Sequence, residues 1–227
     1  MPDRWATFDC YGTLVDWDGG VRACLGAVWP DADVDALLAR YHAVEPALQA
    51  SGERSYRVVL TEALPVIAGA EGLRLPAGRE TALADSLPSW PPFPETRDVL
   101  AELRARRWRL SILSNTDPDY LAASLELIGV PVDETVTASE IGSYKPAFGH
   151  WETFFRRTRA DRSRHVHVAA SLFHDVEPCA GLGLPCVWIN RLGETSEMPR
   201  AGELPDLRGL PDLLEELVPS EGPPPTE

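Results

Sequence analysis

The periodicity of apolar and polar positions changes twice along the chain. It opens on a short unbroken apolar run, Trp5-Ala6-Thr7-Phe8, that stops at Asp9 and Gly12. A run that short, closed by an acid and a glycine, predicts a buried strand that delivers Asp9 to its C-terminal end. From about residue 31 to residue 88 the spacing turns helical. Val34, Leu37, Leu38 and Tyr41 share one face behind a capping Asp31 or Asp33. Tyr56, Val59, Leu60, Leu64 and Ile67 define a second helix, and a third is expected near residues 78–87. The segment Pro88-Ser89-Trp90-Pro91-Pro92-Phe93-Pro94 cannot continue a helix and reads as a hinge.

Beyond the hinge, strands and helices alternate. Helix 96–107 precedes strand 109–113 and Ser114-Asn115; helix 118–128 precedes a short strand near 135–137. Helix 148–159 precedes strand 165–169; a short helix near 178–182 leads to strand 186–190, and a last helix spans about 210–218. Such alternation predicts an α/β fold, a parallel sheet with helices on both faces. Ligands of these sheets bind beyond the carboxyl ends of the strands, where Asp9, Ser114-Asn115 and the segment after Ala169 fall. The tail 219–227, rich in proline and acid, is expected to be disordered.

Composition narrows the partners. The chain has 227 residues, 44% of them hydrophobic and 25% charged, enough for one large domain or a core with an insert. A net charge of −14 makes nucleic acid and anionic membrane poor partners. No stretch approaches the ~20 apolar residues of a membrane helix, and the start, Met1-Pro2-Asp3-Arg4-Trp5, lacks a signal-peptide pattern. Cys10, Cys24, Cys179 and Cys186 have no metal-ligand spacing and read as reduced thiols of a cytoplasmic protein.

Of the 21 basic side chains only one is lysine, Lys145, in Ser143-Tyr144-Lys145-Pro146. Arginine is a wide, flat fork and lysine a compact point charge. A site that packs one positive charge against a carboxylate needs the lysine, and Asp9 in Phe8-Asp9-Cys10-Tyr11-Gly12-Thr13-Leu14 is the matching acid. Asp9, Ser114-Asn115, Lys145 and Asp175 come in order, three of them at expected strand ends. This ordered set resembles the haloacid dehalogenase superfamily, specifically its L-2-haloacid dehalogenase branch, over nearly the whole chain. The resemblance implies a Rossmann-like core, 1–15 and 94–218, with a helical cap inserted at 16–93.

The resemblance also implies roles. Asp9 is the nucleophile that forms an ester with a substrate carbon, and a neighbouring ammonium favours the ionised carboxylate that attacks. Ser114 and Asn115 bind the substrate carboxylate or the ester oxygen, helped by the helix N-terminus that follows. Thr13 hydrogen-bonds Asp9, and Asp175 orients Lys145 or the hydrolytic water. Arg40, 31 residues after Asp9, matches the arginine that accepts the leaving halide, and Tyr41 is assigned to the cap core. Superfamily phosphatases carry a second acid two residues after the nucleophile; here Tyr11 stands there and lines the substrate site instead. They also carry a metal-binding Asp where this chain has Ala170. The branch itself has Ser at 170 and Asn at 172, where this chain has Ala170 and Leu172; Ser171 is a candidate for the lost hydroxyl. His174 is either an acid-base group or a structural histidine. Trp17, Trp90, Trp151 and Trp188 are candidate pocket aromatics, most of them core.

The expectation is therefore a cofactor-free cytoplasmic hydrolase that displaces halide from C2 of a small anionic carboxylate, with a homodimer as the candidate assembly. The alternatives are a phosphatase with magnesium held by Asp9, the Tyr11 backbone and Asp175, a hydrolase of another activated carboxylate, and a binding protein on a hydrolase scaffold.

Overall fold

The computed structural model describes residues 3–49 and 54–220. The expected tail, 219–227, lies almost wholly outside the described residues. Six parallel strands form one sheet in the order β3-β2-β1-β4-β5-β6. They are β1 (Arg4–Phe8), β2 (Trp108–Ser114), β3 (Glu134–Thr137), β4 (His165–Ala169), β5 (Cys186–Ile189) and β6 (Gly202–Leu204). Every residue of β1 and β4 is buried, as expected for central strands covered on both faces. In register, Phe8 pairs with Ile112 of β2 and Val168 of β4, so the loops after these three strands open side by side.

Helices α5 (Thr96–Ala105), α6 (Pro118–Ile128), α7 (Ala138–Ile141), α8 (Gly149–Thr158), α9 (Glu177–Leu182) and α10 (Leu210–Leu217) fall between or after the strands. One apolar cluster joins Trp5, Leu113 and Val136 to Trp151 and Phe154 of α8. A larger one joins Ala6, Phe8, Leu110 and Ile112 to α5, α6 and α10 and runs on into the helices placed before α5.

Those helices are α1 (Trp17–Val28), α2 (Val34–Gln49), α3 (Tyr56–Glu71) and α4 (Ala82–Ser86). The periodicity reading began the helical region near residue 31 and so passed over α1. Its sequence, WDGGVRACLGAV, carries three glycines that weaken helix propensity. Tertiary packing supplies the reason: a Cβ on Gly20 would lie 2.3 Å from the Trp90 ring. Strand β6, three residues long, was also passed over. Two hydrogen bonds to the side chain of Asp117, in the loop after β2, fasten α3 to the sheet. Its carboxylate accepts from the N–H groups of Tyr56 and Arg57, each at 2.9 Å, and so caps α3 rather than its own helix α6.

Candidate active site

Asp9 leaves the end of β1, and Gly12, at a φ of +88°, turns the chain back so that Thr13 faces it. Thr13 Oγ1 donates to Asp9 Oδ2 at 2.9 Å and accepts from the Ala170 N–H at 2.9 Å, which ties the loop after β1 to the loop after β4. Lys145 Nζ donates to Asp9 Oδ1 at 2.9 Å, to Asp175 Oδ1 at 2.7 Å and to the Leu113 carbonyl at 2.9 Å. An ammonium has three protons, so all are committed within the protein. Lys145 therefore organises two carboxylates and leaves no proton for a ligand. It is 2% exposed, and Asp175 is fully buried.

Burial alone would drain charge from Lys145 and Asp175, but their partners outweigh it. Asp175 and Asp9 raise Lys145 above the usual lysine range, and Lys145 with His167 holds Asp175 well below the usual carboxylate range. Asp175 stands on a single π turn, Leu172–Val176, a geometry frequent at functional sites. Its Oδ2 is buried and, among the described residues, lacks a hydrogen-bond partner.

The lysine loop is held by Asn115, whose side chain accepts from the Lys145 N–H at 2.7 Å and donates to the Lys145 carbonyl at 2.9 Å. Asn115 lines the cavity, but its main work is this clamp. Ser114 Oγ is buried without a partner among the described residues. Behind it His150 Nε2 donates to the Ser114 carbonyl at 3.1 Å. Burial and nearby Lys145 push His150 down to about 3, so its ring is neutral.

Sequence reading missed the support beneath Asp175. His167 Nε2 lies 2.9 Å from Asp175 Oδ1; Thr7 Oγ1 lies 2.8 Å from His167 Nδ1 and 2.8 Å from His165 Nε2. Burial, then His167 and Arg162, push His165 down to about 3. With the His165 ring neutral, a proton arrangement in which His165 donates to Thr7, Thr7 to His167, and His167 to Asp175 satisfies every bond. The available signal was two histidines two residues apart on a buried strand, hence on one face.

A cavity of about 670 Å³ opens above the trio. Asp9, Tyr11, Ser114, Asn115, Lys145, Ser171 and Asp175 all border it, so the structure brings these expected residues together. Thr13 touches it through Asp9. Ser171 is not a free hydroxyl: it accepts from the His174 N–H at 3.0 Å and sits 3.1 Å from His174 Nδ1. Of the four candidate tryptophans only Trp17 borders the cavity; Trp90, Trp151 and Trp188 are core. Arg191, unforeseen, borders it too. It stacks 3.5 Å from the Phe93 ring centroid, pairs with Glu95 at 2.8 Å and donates to the Thr13 carbonyl at 2.9 Å. Its Nε is buried without a partner among the described residues.

Arg40 is the expected site residue that the structure leaves outside the cavity lining. It sits on the outer face of α2 and pairs with Glu71 of α3 at 2.6 Å, 43% exposed and away from the cavity lining. Successive helix residues are ~100° apart. Tyr41, Glu45 and Gln49 take the buried face, so the residue before Tyr41 turns outward.

Tyr11, at the place of the second acid, does not resemble one in its surroundings. Its hydroxyl lies 3.0 Å from Ser124 Oγ on α6, and burial raises it far above the usual tyrosine range. Nor does the donor set suit magnesium. Asp9 Oδ1 and Asp175 Oδ1 both face the Lys145 ammonium, residue 170 is alanine, and no group of three or more His, Cys, Asp or Glu among the described residues is arranged to hold a metal.

Comparison with known proteins places this geometry. The chain is 28% identical to an (S)-2-haloacid dehalogenase of Pseudomonas sp. (strain YL), aligned over 92% of this chain and 93% of that relative. Its fold matches a dehalogenase crystallised as an intermediate complex, with a TM-score of 0.84 at 20% identity over 97% of this chain and 99% of the other. It also matches the L-2-haloacid dehalogenase of Xanthobacter autotrophicus with chloropropionic acid covalently bound, with a TM-score of 0.80 at 20% identity over 94% and 98%. The family model for haloacid dehalogenase-like hydrolases covers residues 4–183, and the chain belongs to that family.

Proposed function

We propose that this hydrolase displaces halide from C2 of a 2-halocarboxylate through an ester on Asp9. The observation that carries the reading is the pairing of an intact Asp9–Lys145–Asp175 trio with a Tyr11 that is no acid. A departing alkoxide needs a proton in the transition state; a departing halide does not. Tyr11, tied to Ser124 and pushed by burial far above the usual tyrosine range, is a poor donor of that proton.

In the first step an Asp9 oxygen attacks C2, the carbon–halogen bond breaks with its electron pair, and C2 inverts. In the second step water attacks Asp9 Cγ, and the bond from Cγ to the ester oxygen breaks; one water proton passes to that oxygen as the product hydroxyl, and the other is released to solvent as the Asp9 carboxylate re-forms. The product is a 2-hydroxy acid whose new oxygen came from Asp9. Asp175 Oδ2, buried and unpartnered, accepts a hydrogen bond from the attacking water. Ser114 Oγ and Arg191 Nε, also unpartnered, receive the substrate carboxylate. No metal is assigned a role, and among the described residues no helix is long and apolar enough to cross a membrane.

The test is anion release from 2-halocarboxylates and from phosphomonoesters, each with EDTA and with magnesium. Halide release that ignores EDTA and disappears in Asp9→Asn supports the reading. Magnesium-dependent phosphate release overturns it.

A further inference from the structure

The helical part of the cavity lining has no part in the chemistry above. It comes from α1, α2 and α3 and includes Glu45, 7% exposed. An acid that buried is almost never found without partners. Here Tyr56 donates to Glu45 Oε1 at 2.8 Å and Tyr41 at 3.1 Å, and Gln49 adds a side-chain hydrogen bond. The group is built in place, and it faces the ligand space. Trp17 holds the tyrosine pair, its Nε1 donating to the Tyr56 hydroxyl at 3.2 Å. The subsite adjoins the trio: Gln49 Oε1 lies 3.5 Å from Asn115 Nδ2, beside the lysine loop.

Two quantities say what this wall is for. A cavity of about 670 Å³ is the size of pockets that take drug-sized ligands. The six non-hydrogen atoms of 2-chloropropionate, at about one water volume of ~30 Å³ each, fill roughly 180 Å³. A carboxylate has about four acceptor positions, and Tyr41, Tyr56 and Gln49 occupy three. An alkyl group placed against the fourth would strand a desolvated acceptor, a penalty that a donor removes.

Resting on the dehalogenase reading for the reacting end, we propose that the α1–α3 wall is a specificity subsite for a hydrogen-bond donor, hydroxyl or ammonium, carried on the substrate beyond C2 and accepted by Glu45. Sites that hydrogen-bond a substrate OH or NH reject analogues lacking it by up to roughly 10⁴–10⁵-fold. The preferred substrates are then 2-halocarboxylates with a polar chain, and simple 2-haloalkanoates are poor ones.

The experiment has two arms. Halide release is measured from 2-chlorobutyrate, 2-chloro-3-hydroxypropionate and 2-chloro-3-aminopropionate. Calorimetric titration measures binding of the corresponding products: 2-hydroxybutyrate, glycerate and isoserine. Both are run on wild type, Glu45→Gln and Glu45→Leu. Wild type is expected to favour a donor-bearing acid over its alkyl analogue by at least about 100-fold, and whichever of glycerate and isoserine binds tighter names the donor. In Glu45→Leu the preference collapses or reverses. Glu45→Gln, which keeps the shape, tells loss of the ionic partner from misfolding. Equal binding of all three acids by wild type, binding of none, or a preference that survives in both variants overturns the proposal. Selective binding without any halide release leaves the subsite standing and overturns the dehalogenase reading; halide release without selectivity does the reverse.

Discussion

The two walls of the cavity are built on different principles. The sheet wall presents Asp9, Ser114 and Asp175 at or just beyond the ends of β1, β2 and β4, and Lys145 from the loop between α7 and α8; Asp9, Lys145 and Asp175 are interlocked by hydrogen bonds of 2.7–2.9 Å. The helical wall presents Trp17, His42, Glu45 and Tyr56 from the faces of three helices. On the first wall a small displacement breaks the charge balance of the trio. On the second, a change of side chain alters what fits while the trio is untouched. Reaction and selectivity are thus separable, and substitutions on each wall should show it.

The largest effect is expected at Lys145. Lys145→Met leaves two buried carboxylates facing each other without their cation, a kind of loss that costs about 3–5 kcal/mol. Halide release should vanish and thermal unfolding should drop sharply; an active, equally stable Lys145→Met protein would break the account of the sheet wall.

The buried histidines give the next effect. His150 and His165 are held down to about 3 from an ordinary 6.5. Below 6.5 the unfolded chain takes up these protons and the native state does not, so their stability contribution is present at higher pH and lost as pH falls toward 3. Each should steepen the decline by about 1.4 kcal/mol per pH unit. Unfolding curves across that window should flatten in His165→Gln by that amount. Opposite behaviour is expected of the trio: Lys145 is raised, so kcat/KM should show no fall from its deprotonation up to its ordinary value of 10.5.

Asn115→Ala tests the clamp. It removes two hydrogen bonds to the lysine loop, a loss of roughly 1–3 kcal/mol, and should lower kcat more than it raises KM. The smallest effect belongs to Arg40→Ala. An exposed helix ion pair is worth about 0.2–1 kcal/mol, so halide release should stay within about twofold of wild type. A large loss there would restore the halide role that the sequence assigned to it.

The same contrast explains what the sequence disclosed. A strand that ends in an acid puts that acid at the carboxyl end of the sheet whatever surrounds it, so Asp9 was legible from order and spacing; Lys145 stood out as the one lysine, and Ser114 and Asp175 followed from the strands before them. The parallel sheet followed from the alternation of periods. The helical wall was not legible, because the identity of a helix face depends on rotation. Counting 31 residues from Asp9 reached Arg40, and one residue further reaches the buried face. Helix α1 escaped notice because its three glycines weaken helix propensity, while Gly20 among them is fitted to the Trp90 ring. His167 and Thr7 were hidden inside strands whose apolar neighbours dominate the pattern. They supply Asp175 with a bond from below the sheet, on a turn where Ala170 and Leu172 have no polar side chain to give.

The central claim is that the Asp9 carboxylate itself attacks carbon. It is tested most directly by a single turnover in oxygen-18 water with enzyme in excess over the 2-halocarboxylate, followed by mass spectrometry of product and of the peptide containing Asp9. The account predicts an unlabelled 2-hydroxy acid and one heavy oxygen on Asp9. A labelled product with an unlabelled Asp9 would mean that water attacks C2 directly, and would contradict it.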